Sequence, residues 1–124
     1  MKRETNSVAI IDGDASTRVA MSRLLRGVGF APSAYASAES FLADPAHAAF
    51  ACLLLDLQLP GMSGLELQRR LLAEGNLTPL IFVTAQDDFA ARELAVRNGA
   101  AYFRKIDPGA AIIDALRRVS RATH

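Results

Sequence analysis

Cysteine is almost absent from this chain: the single thiol, Cys52, lies inside the apolar run Ala51-Cys52-Leu53-Leu54-Leu55. One cysteine excludes a disulfide framework, and its apolar neighbours predict a buried, unreactive thiol rather than a ligand or nucleophile. Tryptophan is missing, tyrosine occurs twice, and no basic run exceeds Arg117-Arg118. A nucleic-acid footprint needs denser clustering of positive charge, so direct nucleic-acid binding is not expected. No apolar run approaches the roughly 18 residues of a membrane span. Residues 1–7 are polar and carry Lys2, Arg3 and Glu4, unlike a secretory leader. These absences predict a cytoplasmic protein with no membrane partner.

What is present is enough for a core. The chain has 124 residues, 51% hydrophobic and 22% charged, the size and composition of one compact domain over 1–124. The net charge of +1 conceals an asymmetry. Residues 1–91 hold seven Lys/Arg against ten Asp/Glu, and residues 92–124 hold seven against three.

Short apolar runs alternate with amphipathic stretches five times. The expected strands are 8–12, 30–35, 51–56, 80–84 and 101–104. Met21, Leu24, Leu25 and Val28 form a stripe at helical spacing before Gly29, a helix terminator. Ala91, Leu94, Ala95 and Asn98 repeat it before Gly99, and Ile112, Ala115, Leu116 and Val119 repeat it after the fifth strand. Asp107-Pro108 is expected to open the last helix, with the acid as its cap. Runs such as Cys52-Leu53-Leu54-Leu55 and Ile81-Phe82-Val83 lack polar alternation, which implies burial on both faces of a parallel sheet. The expected architecture is a doubly wound α/β sheet of five parallel strands with helices on both faces.

In such a sheet ligand chemistry sits at the carboxyl ends of the strands. Asp12, Asp14, Asp56, Thr84 and Lys105 all follow or end strands and are expected to converge there. Clustered carboxylates repel and need a cation; Mg²⁺ suits one or two carboxylates with waters and phosphate oxygens. The chemistry this suggests is attack of Asp56 on phosphorus, with the metal and Lys105 neutralising the phosphoryl oxygens and the Thr84 hydroxyl bonding one of them.

The chain resembles the receiver domains of bacterial two-component response regulators over nearly its whole length. The likeness rests on Ile10-Ile11-Asp12, on Leu55-Asp56-Leu57-Gln58-Leu59-Pro60-Gly61-Met62-Ser63-Gly64, on Val83-Thr84-Ala85, on Asn98-Gly99-Ala100, and on Tyr102 three residues before Lys105. The resemblance implies the flavodoxin-like strand order 2-1-3-4-5 and phosphorylation of Asp56 by a histidine kinase. It further implies Mg²⁺ held by Asp56 with acids after the first strand. Thr84 and Tyr102 would form a switch that alters the surface of the fourth helix, fifth strand and fifth helix. Enzymatic activity would be confined to phosphorylation and dephosphorylation at Asp56 itself, and Gln58 and Gln86 stand where the family tunes dephosphorylation.

Two positions depart from the family pattern. Gly13 replaces the second of two consecutive acids, giving Asp12-Gly13-Asp14, so Asp14 substitutes as a metal ligand only if glycine lets the loop re-aim it. Weakened Mg²⁺ binding is expected. Lys105-Ile106 replaces the usual Lys-Pro, and a trans bond is expected because a non-proline cis bond costs about 3 kcal/mol. These departures also fit a degenerate receiver that binds or dimerises without phosphorylation. A third reading is a haloacid-dehalogenase-like phosphohydrolase, since Asp12-Gly13-Asp14 matches that group's Asp-x-Asp, with Thr84, Lys105 and Asp87-Asp88 echoing its other motifs. The order of lysine and acidic pair counts against it. For the output surface, Arg92, Arg97, Arg104, Arg117, Arg118 and Arg121 leave homodimerisation, an acidic partner and simple solvation open.

Overall fold

The five apolar runs become five parallel strands: β1 (Ser7–Ile11), β2 (Ala31–Tyr35), β3 (Cys52–Leu55), β4 (Leu80–Thr84) and β5 (Ala101–Arg104). They form one sheet in the order β2-β1-β3-β4-β5, as expected. Between and after them lie the helices α1 (Ala15–Gly27), α2 (Ala38–Leu42), α3 (Gly64–Ala73), α4 (Phe89–Arg97) and α5 (Gly109–Ala122). A 3-10 turn, His47–Ala49, follows α2. The structure is a computed structural model and describes residues 6–86 and 88–122, with side chains as far as Val119. Residues 1–5, Asp87 and the Arg121 side chain therefore lie outside the described residues.

Both faces of the sheet are covered, for a reason visible residue by residue. Successive strand side chains point to opposite faces. Ala9, Ile11, Leu53, Leu55 and Phe82 join Phe41 of α2 and Leu67 and Leu71 of α3 in one core. Val8, Ile10, Leu54, Ile81 and Val83 join Leu25 of α1 and Ile112 and Leu116 of α5 in the other. Cys52 lies in that second core, where burial pushes its thiol up to about 12. The edge strand β2 is only partly covered and pairs Pro32 with Val8, a place where a missing N–H is tolerated.

Three expectations need correction. In α1 only Leu25 is fully buried while Leu24 and Val28 are more than a third exposed, so the stripe is the narrower Met21–Leu25 pair. In α4 Leu94 is 46% exposed and the inward stripe is Ala91 and Ala95, small residues that let the helix lie close to the sheet. Asp107 turns back to accept the Arg104 N–H at 2.7 Å, closing the turn after β5 instead of capping α5. The terminators do hold, since Gly29 and Gly99 adopt φ of 94° and 92° where a side chain would be strained.

One packing constraint fixes the segment that leaves β3. Ser63 and Glu66 form a reciprocal capping box at the start of α3. Between Ser63 and Leu65, a methyl at position 64 would overlap the Asp56 carbonyl oxygen and press on the Leu57 Cα at 3.0 Å. Both contacts are backbone and cannot swing aside. Gly64→Ala should therefore destabilise the fold by about 3 kcal/mol in urea unfolding, the cost of overpacking a rigid site. An unchanged midpoint would show that α3 has room to retreat.

Candidate functional site

Strand register builds the acidic centre. β1 and β3 are hydrogen-bonded neighbours with Ile11 opposite Leu55, so the next residues along, Asp12 and Asp56, emerge side by side. The Asp56 N–H donates to the Ile11 carbonyl at 3.0 Å, which fixes that relation. Both acids are largely withdrawn from water, at 4% and 8% exposure. The partner charge arrives from the far side of the sheet. The Lys105 N–H donates to the Thr84 carbonyl at 2.8 Å, pinning the lysine to the end of β4. Its ammonium reaches back across the strand ends to Asp12 Oδ2 at 3.0 Å and Asp56 Oδ2 at 3.4 Å.

The electrostatics of the three groups are not symmetric. Burial raises the Asp56 pKa above its usual 3.8, and the Asp12 charge raises it further, while Lys105 only partly offsets both. Burial alone would lower Lys105, but its hydrogen bond to Asp12 and the charges of both carboxylates prevail and raise it. The ammonium lies nearer Asp12, so Asp56 keeps the larger share of unrelieved repulsion. Asp56 Oδ1 also accepts a long bond from the Gln58 N–H, at 3.4 Å.

Asp14 has other work. Its Oδ1 accepts the Ser16 N–H at 3.3 Å and its Oδ2 accepts the Thr17 hydroxyl at 2.7 Å, capping α1. The Thr17 bond is the main reason its pKa is lowered. Gly13 is not among the glycines at positive φ, so the loop does not use glycine's freedom to re-aim Asp14. Among the described residues no three His, Cys, Asp or Glu side chains gather closely enough to hold a metal ion. The two-carboxylate set of Asp12 and Asp56 nevertheless fits Mg²⁺, which takes one or two carboxylates and completes its shell with water and phosphate oxygens.

The remaining expected residues sit around this centre. Thr84 is buried at the end of β4, and its hydroxyl accepts the Gln86 N–H at 3.4 Å. Tyr102 is half-buried; its hydroxyl donates to the Gln86 carbonyl at 3.4 Å, and the Arg92 guanidinium stands 5.6 Å from its ring centre. Gln58 and Gln86 are joined directly, Nε2 to Oε1 at 2.8 Å, across the mouth of the site. No cis peptide bond occurs among the described residues, so Lys105-Ile106 is trans as expected. Arg92, Arg97, Arg104, Arg117 and Arg118 are all exposed.

Several contributors were not expected. Thr17 lies 3.5 Å from the Lys105 ammonium, and the Arg18 guanidinium donates to the Asp12 carbonyl at 2.8 Å. Both belong to the first turn of α1, and only their closeness to Asp12 in sequence would have singled them out. Glu39 of α2 accepts the Met62 N–H at 2.8 Å, a link across 23 residues that nothing in the sequence announces.

The geometry agrees with comparisons to known proteins. Residues 8–115 match the family model for the response regulator receiver domain. The chain is 35% identical over 103 residues to the response regulator protein TmoT of Ectopseudomonas mendocina, covering 83% of this chain and 47% of that one. The FixJ-N crystal structure is similar at 32% identity and a TM-score of 0.85, covering 96% of both chains. A response regulator receiver protein from Burkholderia phymatum is 42% identical with a TM-score of 0.78, over 92% of this chain and 94% of that one. The chain spans about half the length of the curated relatives it matches first. The phosphohydrolase reading is thereby set aside. Receiver domains are in general not catalytic enzymes, bind Mg²⁺ in their acidic pocket and pair with histidine kinases. With two register-paired aspartates, a lysine between them and the matching family model, the chain belongs to the receiver domains of two-component response regulators.

Proposed function

We propose that Asp56 accepts a phosphoryl group from a phosphohistidine of a histidine kinase and that Thr84 and Tyr102 relay the change to the α4, β5 and α5 surface. The observation that carries this reading is the Lys105 ammonium set 3.0 Å from Asp12 and 3.4 Å from Asp56. An Asp56 oxygen would form the bond to phosphorus as the phosphorus–nitrogen bond breaks and the imidazole leaves with a proton. Lys105 would take one equatorial oxygen and the Thr84 hydroxyl would donate to another while its oxygen still accepts the Gln86 N–H. Held by Asp12 and Asp56, Mg²⁺ would supply further positive charge to the phosphoryl oxygens. Tyr102 is already tied through Gln86 to the loop that Thr84 would pull.

The same reading covers localisation and partners. We place the domain in the cytoplasm; no helix among the described residues is long and apolar enough to cross a membrane. Homodimerisation through the α4, β5 and α5 surface and a transcriptional output in a longer protein are part of the proposal. The second is prompted by FixJ of Bradyrhizobium diazoefficiens, named a transcriptional regulatory protein. A phosphorylation-independent binding module is the competing reading, and Asp14's engagement with α1 favours it by leaving two acids for the metal.

Incubation with a small phosphodonor and Mg²⁺, then intact mass and peptide mapping, should give one phosphoryl adduct on Asp56 and none on Asp56→Asn. A folded wild-type protein without adduct would favour the binding module.

Gly13→Asp should bind Mg²⁺ about tenfold more tightly by adding a carboxylate. Its Cβ would meet Pro60 Cδ at 3.2 Å, so the ring must give by a few tenths of an ångström. Equal affinity in calorimetric titration would show that Pro60 denies the new carboxylate the site.

The raised Asp56 pKa also carries a sign. The folded state holds its proton more tightly than the unfolded chain, so Asp56 weakens stability progressively as pH rises from about 3.8 through its raised value. Lys105 has the same pH slope in a higher window: its raised pKa contributes stability below about 10.5 that is lost as pH climbs through its raised value, so at neutral pH it stabilises where Asp56 destabilises. Metal-free Asp56→Asn should therefore be more stable than wild type at pH 7. The gap should close toward pH 3.8 and narrow with Mg²⁺ in thermal melts. A less stable variant at pH 7 would mean Lys105 dominates the pair.

A further inference from the structure

We propose that Glu39 is a positioning residue for the phosphoryl-accepting site, clamping from α2 the loop that follows Asp56; this rests on the phosphoacceptor reading above. Three consecutive residues of that loop are gripped at once. Pro60 stands against Gly13, with its Cδ 3.2 Å from where a Cβ at 13 would lie. Gly61 adopts φ 73° and a Cβ there would sit 2.5 Å from Glu39 Oε2 and 3.2 Å from the Glu39 Cδ. The Met62 N–H donates to the same Oε2 at 2.8 Å. Position 61 is therefore glycine chiefly for its backbone angle; the overlap with Glu39 falls on the end of a flexible side chain, which a methyl could displace with loss of the Met62 bond.

The platform behind the clamp is rigid. Ala38 and Phe41 on either side of Glu39 are fully buried, and Ser37 and Ser40 cap the short helix reciprocally. Glu39 is itself exposed, and its Oε2 accepts the loop amide of Met62. Accepting the Met62 N–H is the main reason its pKa is lowered.

The clamp meets the chemistry at two points. Upstream, Pro60 lies four residues after Asp56, whose Oδ1 is already tied to Gln58 in the same loop. Across the site, Pro60 rests on Gly13, between Asp12 and Asp14. Fixing Met62 thus fixes Pro60 over the side of the pocket where the second acid is missing. Release of Glu39 would let Pro60 move away from Gly13 and loosen the loop that covers the site, while the strand register still holds Asp12 and Asp56 together. A solvated surface acid would do none of this.

The test compares wild type, Glu39→Ala, Glu39→Gln, Gly61→Ala and the double Glu39→Ala/Gly61→Ala. It reads Met62 amide exchange, Mg²⁺ affinity, the rate of phosphorylation by a small phosphodonor, and thermal melts. Glu39→Ala should speed Met62 exchange about tenfold and slow phosphorylation about fivefold, the scale of one charge-assisted hydrogen bond on an exposed loop. Glu39→Gln should keep most of both, because its amide oxygen still accepts. Gly61→Ala should also slow phosphorylation, because its backbone angle strains the clamped segment, and the double variant should be slower than Glu39→Ala. Unchanged Met62 exchange in Glu39→Ala overturns the clamp. Faster exchange with unaltered phosphorylation and Mg²⁺ affinity overturns the positioning role, as does a loss that merely follows a fall in melting temperature. Should wild type accept no phosphoryl group, the phosphoacceptor reading fails, while Met62 exchange and Mg²⁺ affinity still decide whether Glu39 orders the loop and its cation site.

Discussion

One ammonium between two carboxylates is the interaction on which the site depends. Parallel pairing of Ile11 with Leu55 forces Asp12 and Asp56 together, and unit charges about 4 Å apart repel by about 4 kcal/mol at an effective dielectric near 20. Lys105 relieves that repulsion unequally, because it is anchored by its own N–H to Thr84 and leans toward Asp12. Asp56 is left incompletely neutralised, which suits the phosphoryl-accepting role proposed for it. The register itself is held by the two cores. A one-residue slip of β1 against β3 would exchange Ile11 for Ile10 on a face packed by Phe41 and Leu67, leaving Leu55 without its partner.

The loops around the acids divide the remaining work. Asp14 has gone to the start of α1, where both of its oxygens are used, so the acidic pocket has two members. The room beside them is occupied by Pro60, which approaches Gly13 more closely than a side chain at 13 would comfortably allow. Gly13 thus reads as a steric partner of Pro60 as much as a lost ligand. On the opposite rim, Gln58 and Gln86 join the loops after β3 and β4, and Tyr102 holds the Gln86 carbonyl. Movement of Thr84 would therefore be felt at the pocket mouth and at Tyr102 together.

How much of this the sequence disclosed follows from the kind of interaction involved. Strand positions and the convergence of Asp12, Asp56 and Lys105 were legible because burial on both sheet faces writes long apolar runs, and parallel connectivity sends every strand end to one edge; strand order came only from the family resemblance. Helix faces were read less well. Leu94 sits at proper spacing for a core stripe but points outward, since small Ala91 and Ala95 suffice where α4 lies close to the sheet, and Leu24 is over a third exposed with its methyls beside Gly109 of α5. Asp107 next to Pro108 resembled a helix cap, yet the free Arg104 N–H at the strand end claimed it. The Ser63–Glu66 capping box was a local signal available in the sequence and passed over. Glu39, Thr17 and Arg18 were not legible, because each acts on a backbone group or side chain that only the folded chain brings near.

The central claim, that burial and the Asp12 charge raise the Asp56 pKa above its ordinary value while Lys105 restrains it, is open to one direct measurement. Carbon-13 NMR titration of the Asp56 side-chain carboxyl, in metal-free wild type and in Lys105→Met, reports the balance at the atom concerned. The account predicts a midpoint above the usual 3.8 in wild type, moving higher still when the ammonium is removed. A midpoint at or below 3.8 that ignores Lys105→Met would contradict it.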